Sequence, residues 1–381
     1  RKNYNLLVIS IVGVSFLYFT VWIGSVVPIN FPDEILGINK TAAWILILFA
    51  YAAIASMLPV WLLLQPRDYI NGAQLVVGLI LLYVAVFMSM PDITAPAFND
   101  QMQPDTPSMF PLLFITVACG ALSGFHGIVS SGTTSKQLNK EPDARFVGYL
   151  GALGEGSLAL ITLVVVSSAM YAASPAEWHV LYNKFSTGGA TAFITGGGNL
   201  LTDAWGLPNV FAQTLLATMV VLFASTTMDA GVRLMRYIVQ EWGQIYNIKL
   251  LDNNVAATLF SVGCCLALAF GAGGSTGSGG NIIWPLFGAT NQILASLTLL
   301  VLSIFLIKLG RPARYTLVPM ALVMFIATWG CAVQLMQFFR EERWLLVFLS
   351  IAVLVASVMV ILEAISVFSS LKREKEAPVK S

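Results

Sequence analysis

Glu155 stands about nine residues, or roughly 13 Å of helix, inside an apolar run. A carboxylate at that depth either finds a cation or hydrogen-bond donor, or its pKa rises until it is protonated. An intramembrane acid is by default a candidate for proton coupling or solute binding. Gly148, Gly151 and Glu155 share one helical face at spacings of three and four. Small residues there let a second helix approach closely, so the carboxylate is expected to point into the protein, with a structural hydrogen bond as the alternative to proton exchange.

Three further groups carry polar chemistry. The stretch Cys119–Gln137 contains Ser123, Gly124, Phe125, His126, Ser130 and Ser131 among glycines and hydroxylated residues, a poor helix former. Unwound backbone at membrane depth is tolerated where protein or a watery cavity covers it, and its freed N–H and C=O groups can hold a ligand. The alternative is a plain helix end whose glycines permit close packing. His126 either binds solute, relays protons or makes a structural hydrogen bond. The adjacent amides Asn291 and Gln292, behind Pro285 and Gly288, either glue helices together or line a pathway. Asp229, Arg233 and Arg236 fall on one helical face, as an interfacial ion pair with snorkelling arginines or as a gate.

Other chemistries find less support. The segment Gly271–Gly280 lacks the Gly-Lys-Ser/Thr ending of a phosphate-binding loop. Ser123 and His126 lack the Gly-x-Ser-Gly context of a hydrolase and a second histidine as base, so the chain is read as a non-enzyme. No metal site or cofactor is expected: His126 and His179 lie far apart, and Cys119, Cys264, Cys265 and Cys331 read as small buried hydrophobes.

The elements that must position these residues follow from composition. The chain has 381 residues, 57% of them hydrophobic and 10% charged, with net charge +1. Its mean hydropathy is +0.80. These values exclude disorder, a basic nucleic-acid binder and an ordinary cytosolic enzyme. Ten stretches reach the roughly 20 apolar residues that cross a bilayer: 5–27, 42–64, 69–90, 109–130, 146–173, 208–240, 255–272, 282–307, 315–338 and 343–369. The fold class expected is all-α and polytopic. With the N-terminus inside, 16 Lys and Arg fall on inner segments against 4 on outer ones, which puts both ends in the cytoplasm. Two outer loops are long, 91–108 with Asp92, Asp100 and Asp105, and 174–207 with glycine clusters at Ser186–Ala190 and Thr195–Asn199. Loops of that length usually contain short helices or a lid. Residues 1–371 read as one transmembrane domain and 372–381 as a mobile charged tail. The opening lacks the pattern of a cleaved signal peptide.

Several blocks are long enough to carry a resemblance. They are Cys119–Gln137, Asp143–Tyr149 with Gly154–Ser157, Thr226–Tyr237, Trp284–Gln292 and Arg67–Gly72. Ordered along most of the chain, they resemble the carbon starvation protein A (CstA) family. The resemblance implies an inner-membrane secondary transporter with the broken helices and inverted repeats of the amino acid–polyamine–organocation type. It implies uptake of peptides, or of pyruvate with protons, when carbon runs short. It also implies that this chain corresponds to the C-terminal part of a longer family protein. In that reading Ser123, Gly124, Phe125, His126, Ser130, Ser131, Asn291 and Gln292 bind substrate. Glu155 exchanges the coupling proton (sodium being the other candidate ion), and Asp229 with Arg233 forms a gate or interfacial pair. The partners are a small-molecule or peptide substrate, the coupling ion and the lipid bilayer, without nucleic acid. A transporter-like nutrient sensor without net transport is the alternative function.

Overall fold

The structure is a computed structural model that describes residues 6–27, 32–35, 37–98, 108–182 and 188–376. Its main helices are α1 (Leu6–Val26), α2 (Lys40–Met57), α3 (Leu64–Ser89), α4 (Phe114–Ala121), α5 (Gly124–Val129), α6 (Asp143–Val165), α7 (Pro175–Tyr182), α8 (Gly188–Trp205), α9 (Asn209–Ile245), α10 (Asn254–Gly273), α11 (Gly279–Lys308), α12 (Arg314–Arg340) and α13 (Trp344–Glu376). A two-residue hairpin pairs Glu34 with Asn39 ahead of α2. Among the described residues ten helical segments are long and apolar enough to cross a membrane, and they coincide with the ten expected from the sequence. The chain is a multi-pass helical membrane protein. Asp100 and Asp105 of the first long loop, residues 183–187 of the second and 377–381 of the tail lie outside the described residues. From 372 to 376 the chain continues α13 as helix rather than leaving it as a tail.

The chain forms two compact units, residues 1–106 with 145–281 and residues 107–144 with 282–381. In the first, α3 runs antiparallel to α9. Arg67 meets Asp229, Asn71 Nδ2 donates to the Leu222 carbonyl at 3.3 Å, and a Cβ added at Gly78 would stand 2.9 Å from Met219 Sδ. Leu79, Leu82, Ile161, Val165, Leu200, Leu201, Leu215 and Leu216 build its core. In the second, α11 and α12 are antiparallel, since Gln334 Nε2 donates to the Pro285 carbonyl (2.7 Å) and Ser303 Oγ to Thr316 Oγ1 (2.7 Å). Helices α12 and α13 are antiparallel too, through Thr328 with Ser357 and Cys331 with Ser350. The fourth span runs parallel to α11: Ile115 lies by Gly288, Gly124 by Leu294 and Gly127 by Thr298. Each direction is the one that successive crossings require.

Helix α8 departs from the sequence reading. Residues 174–207 read as a long outer loop with two glycine clusters, holding short helices or a lid. In the structure Gly196, Gly197 and Gly198 are the contact surface of an 18-residue helix. A Cβ at Gly196 would stand 2.8 Å from the Val165 carbonyl, and one at Gly197 would stand 2.5 Å from Leu216 Cδ1. Between membrane helices close van der Waals approach is the main attraction, so the glycines gain in packing what they lose in propensity.

Gly196→Val should therefore lower the detergent unfolding temperature, with an overpacking cost of about 1–3 kcal/mol because the obstructing atom is backbone. Gly263→Ala, where an added Cβ meets open space, should leave it unchanged or raise it. Equal melting curves for the two variants would contradict the packing role of α8.

Candidate functional site

The fourth span is broken in its middle. Helix α4 stops at Ala121, Leu122 (φ −151°, ψ 108°) and Ser123 (φ −118°, ψ 128°) are extended, and α5 starts at Gly124. A helix start leaves its first N–H groups without intrahelical partners. Here the cap comes from another helix: Asn291 Oδ1 of α11 accepts from the Phe125 backbone N–H at 2.8 Å. That bond orients the amide, and Asn291 Nδ2 then donates to Cys119 Sγ at 3.0 Å and to Ser123 Oγ at 3.2 Å. One side chain therefore binds the end of α4, the break and the start of α5. Ser123 Oγ completes the cap weakly, accepting from the His126 N–H at 3.5 Å. The approach is close because Gly124 has no side chain; a Cβ there would collide with the α11 backbone at Asn291 and Ala295.

The expected substrate residues separate into three groups. Ser123, Gly124, Phe125 and Asn291 are brought together at the break. Asn291 takes the helix-joining role, with its polar atoms engaged by protein. Gln292 is 1% exposed, and neither its Oε1 nor its Nε2 has a partner among the described residues. A buried amide in that condition costs free energy until something hydrogen-bonds to it. His126, Ser130 and Ser131 lie on the exposed side of the span. The His126 ring stands T-shaped to Phe125 at 6.3 Å, while the two serine hydroxyls donate to the carbonyls of Gly127 (2.8 Å) and Ile128 (3.0 Å) of their own helix.

In the first unit two expectations change. Asp229 is the only fully buried carboxylate among the described residues, and its ion-pair partner is Arg67 of α3, at 2.6 Å, rather than Arg233 on its own helix. Arg67 also donates to the Tyr51 hydroxyl. Arg233 reaches the end of α2 instead, donating to the carbonyls of Ala55 (3.1 Å) and Leu58 (2.7 Å), where a cation complements the negative helix terminus. Arg233 and Arg236 are 4% and 6% exposed, so they are buried rather than snorkelling to an interface. The second change concerns Glu155. It is exposed, and Cβ atoms added at Gly148 and Gly151 meet open space, so no helix packs on that face among the described residues.

Arg67, Tyr51 and the buried amides Asn71 and Gln74 complete this polar layer without having been marked by the sequence as site residues. The Arg67–Gly72 block was a signal for Arg67 and Asn71 alone, because a pairing between distant spans leaves no local spacing to read.

By class the chain is a polytopic helical membrane protein, with a side-chain-stapled broken helix in one unit and a buried ion-paired layer in the other. The chain belongs to the CstA family: the model described as "Carbon starvation protein CstA" matches residues 1–186 and 178–330. It is similar to the peptide transporter CstA of Campylobacter jejuni, 32% identical over 373 residues covering 84% of this chain and 53% of the relative. The peptide transporter CstA of Bacillus subtilis is 34% identical, covering 83% and 57% respectively. The pyruvate/proton symporter BtsT of Escherichia coli is 30% identical, covering 86% and 55%. The chain thus spans about half the length of the curated relatives it matches. No solved structure matches it.

Two outcomes are expected of substitutions here. Asn291→Leu should destabilise the protein by about 1–3 kcal/mol, through the orphaned Phe125 donor and the lost cap, and should raise amide exchange at residues 124–126 above that in the rest of the span. Asp229→Asn removes the ion-pair partner of Arg67 and should cost on the order of 3 kcal/mol. The Arg67→Met, Asp229→Leu double variant should recover most of that loss in a thermal-unfolding cycle; no recovery would mean that the pair is not coupled.

Proposed function

We propose that the chain forms the membrane-embedded part of a secondary active transporter that takes up small nutrients, peptides or pyruvate with protons, across the cell inner membrane. In this reading residues 1–371 act as one transporter domain with both ends cytoplasmic, and the architecture is the inverted-repeat amino acid–polyamine–organocation type. The observation that carries the reading is the break at Leu122–Ser123, held open by a side chain from another helix. The names of the relatives point the same way, and the inner surplus of Lys and Arg supports the orientation.

The start of a helix concentrates N–H donors and the positive end of the helix dipole, which suits a carboxylate. The substrates in view each carry one. A substrate carboxylate bound at the break would take the place of the Asn291 and Ser123 caps on the Phe125 and His126 N–H groups, with the Phe125 ring against its apolar part. Gln292 offers a free acceptor and a free donor for its remaining polar atoms. His126, Ser130 and Ser131 line the continuation of the same span. Glu155 exchanges the coupling proton, with sodium as the other candidate ion. The Arg67–Asp229 pair and Arg233, which join α2, α3 and α9, serve as a gate that opens by exchanging these contacts.

Purified protein in proteoliposomes should accumulate labelled short peptides or pyruvate when a proton gradient is imposed, and binding without accumulation would indicate a sensor instead. Glu155→Gln should abolish gradient-driven uptake; undiminished uptake would remove Glu155 from the coupling step. His126→Ala should raise the apparent KM several-fold, and an unchanged KM would leave that histidine a structural part.

A further inference from the structure

The first half of α6 is bare. Residues 144–153 are all exposed, and the first buried side chains on the helix are Ile161 and Val165. Tyr83, whose hydroxyl donates to the Ser157 carbonyl at 2.7 Å, marks where α3 begins to hold it. Apolar side chains such as Leu150 and Leu153 suit lipid. Glu155, however, stands roughly 13 Å inside the apolar run that begins at 146, near the middle of a hydrocarbon layer roughly 30 Å thick. It has no ion-pair partner among the described residues. A carboxylate in contact with acyl chains is unfavourable in either protonation state, because hydrocarbon offers no hydrogen bond. Beside it, Cβ atoms added at Gly148, Gly151, Gly154 and Gly156 meet only open space. Gly196–Gly198 of α8 and Gly124 and Gly127 of α5 are packed against neighbouring atoms; other open glycines occur at Gly72, Gly120 and Gly263, but among the described residues only on α6 do they stand beside an unpaired carboxylate at membrane depth.

We propose that this face of α6 is a docking surface for a further membrane helix, one belonging to the part of CstA-family proteins that this chain does not span. Two observations select that occupant. The matched region is 53% of the C. jejuni relative and 55% of the E. coli one, so such proteins carry nearly as much chain again. The carboxylate also requires a complementary group. The docking helix presents small residues to Gly148 and Gly151 and a hydrogen-bond donor or cation to Glu155. The inference is independent of any proton-coupling role for Glu155, since it rests on exposure and membrane depth alone.

Site-specific photo-crosslinking in membranes of the native host tests it. With p-benzoylphenylalanine placed at Ala152, and separately at Val147, exposed positions that flank the Gly148–Gly151–Glu155 face, irradiation should give adducts whose partner peptide comes from an apolar segment matching the unspanned part of the relatives. Adduct mass then reports whether that segment lies on the same polypeptide or on a separate one. The same probe at Leu259, an exposed position on α10, should give lipid adducts only. Lipid adducts alone at Ala152 and Val147 would overturn the proposal, as would products of twice the chain mass from a second copy, or links within residues 1–381. Glu155→Leu should lower the Ala152 adduct yield at least five-fold, and an unaltered yield would overturn the part assigned to the carboxylate.

Discussion

A backbone amide inside a bilayer has no water to turn to, so a membrane helix that stops midway must find partners for its freed N–H and C=O groups within the protein. That constraint organises the second unit. The break at Leu122–Ser123 exists because Asn291 reaches it from α11, and Asn291 reaches it because Gly124 lets the two backbones come close. The close pairing continues at Gly127 against Thr298 and at Gly288 against Ile115. A glycine, an asparagine and a second glycine, each weak as a helix former, are thus mutually dependent. The polar bond is made only where the small residues allow it.

The first unit meets the same constraint with charge. A buried carboxylate and buried guanidinium groups are expensive to desolvate singly, and the layer of Arg67, Asp229 and Arg233 distributes that cost over an ion pair and the carbonyls at the end of α2. It ties α2, α3 and α9 at one level. Arrangements of this kind resist small distortion but can exchange one set of partners for another as a unit.

Helix α8 and the bare half of α6 are a matched contrast. Both are glycine-rich. In α8 the glycines receive Leu216, Gln213 and the Val165 carbonyl, and the helix lies in the core; in α6 they face open space beside an exposed acid. Glycine in a membrane helix therefore marks a permitted approach, and whether the approach is taken depends on the neighbouring helices.

Ten spans and their alternation were legible from composition and the placement of Lys and Arg, because transfer into hydrocarbon and the charge bias of loops are properties of local stretches of chain. A weak point in the fourth span was legible too, since propensity is local, but the expected break over Ser123–Ser131 is confined to Leu122–Ser123, and Gly124–Gln137 stays helical. What the linear order could not assign was the partner of each polar group. Asp229 reads naturally with Arg233, four residues on, and Glu155 reads as inward-facing beside its glycines. The structure pairs Asp229 with Arg67 and leaves Glu155 exposed. It also turns the Gly196–Gly198 cluster from loop into buried helix and makes Asn291 a cap for a helix far away in sequence. These outcomes depend on which helix faces reach van der Waals contact, and contact between distant segments is set by packing the whole unit rather than by residue spacing along any one span.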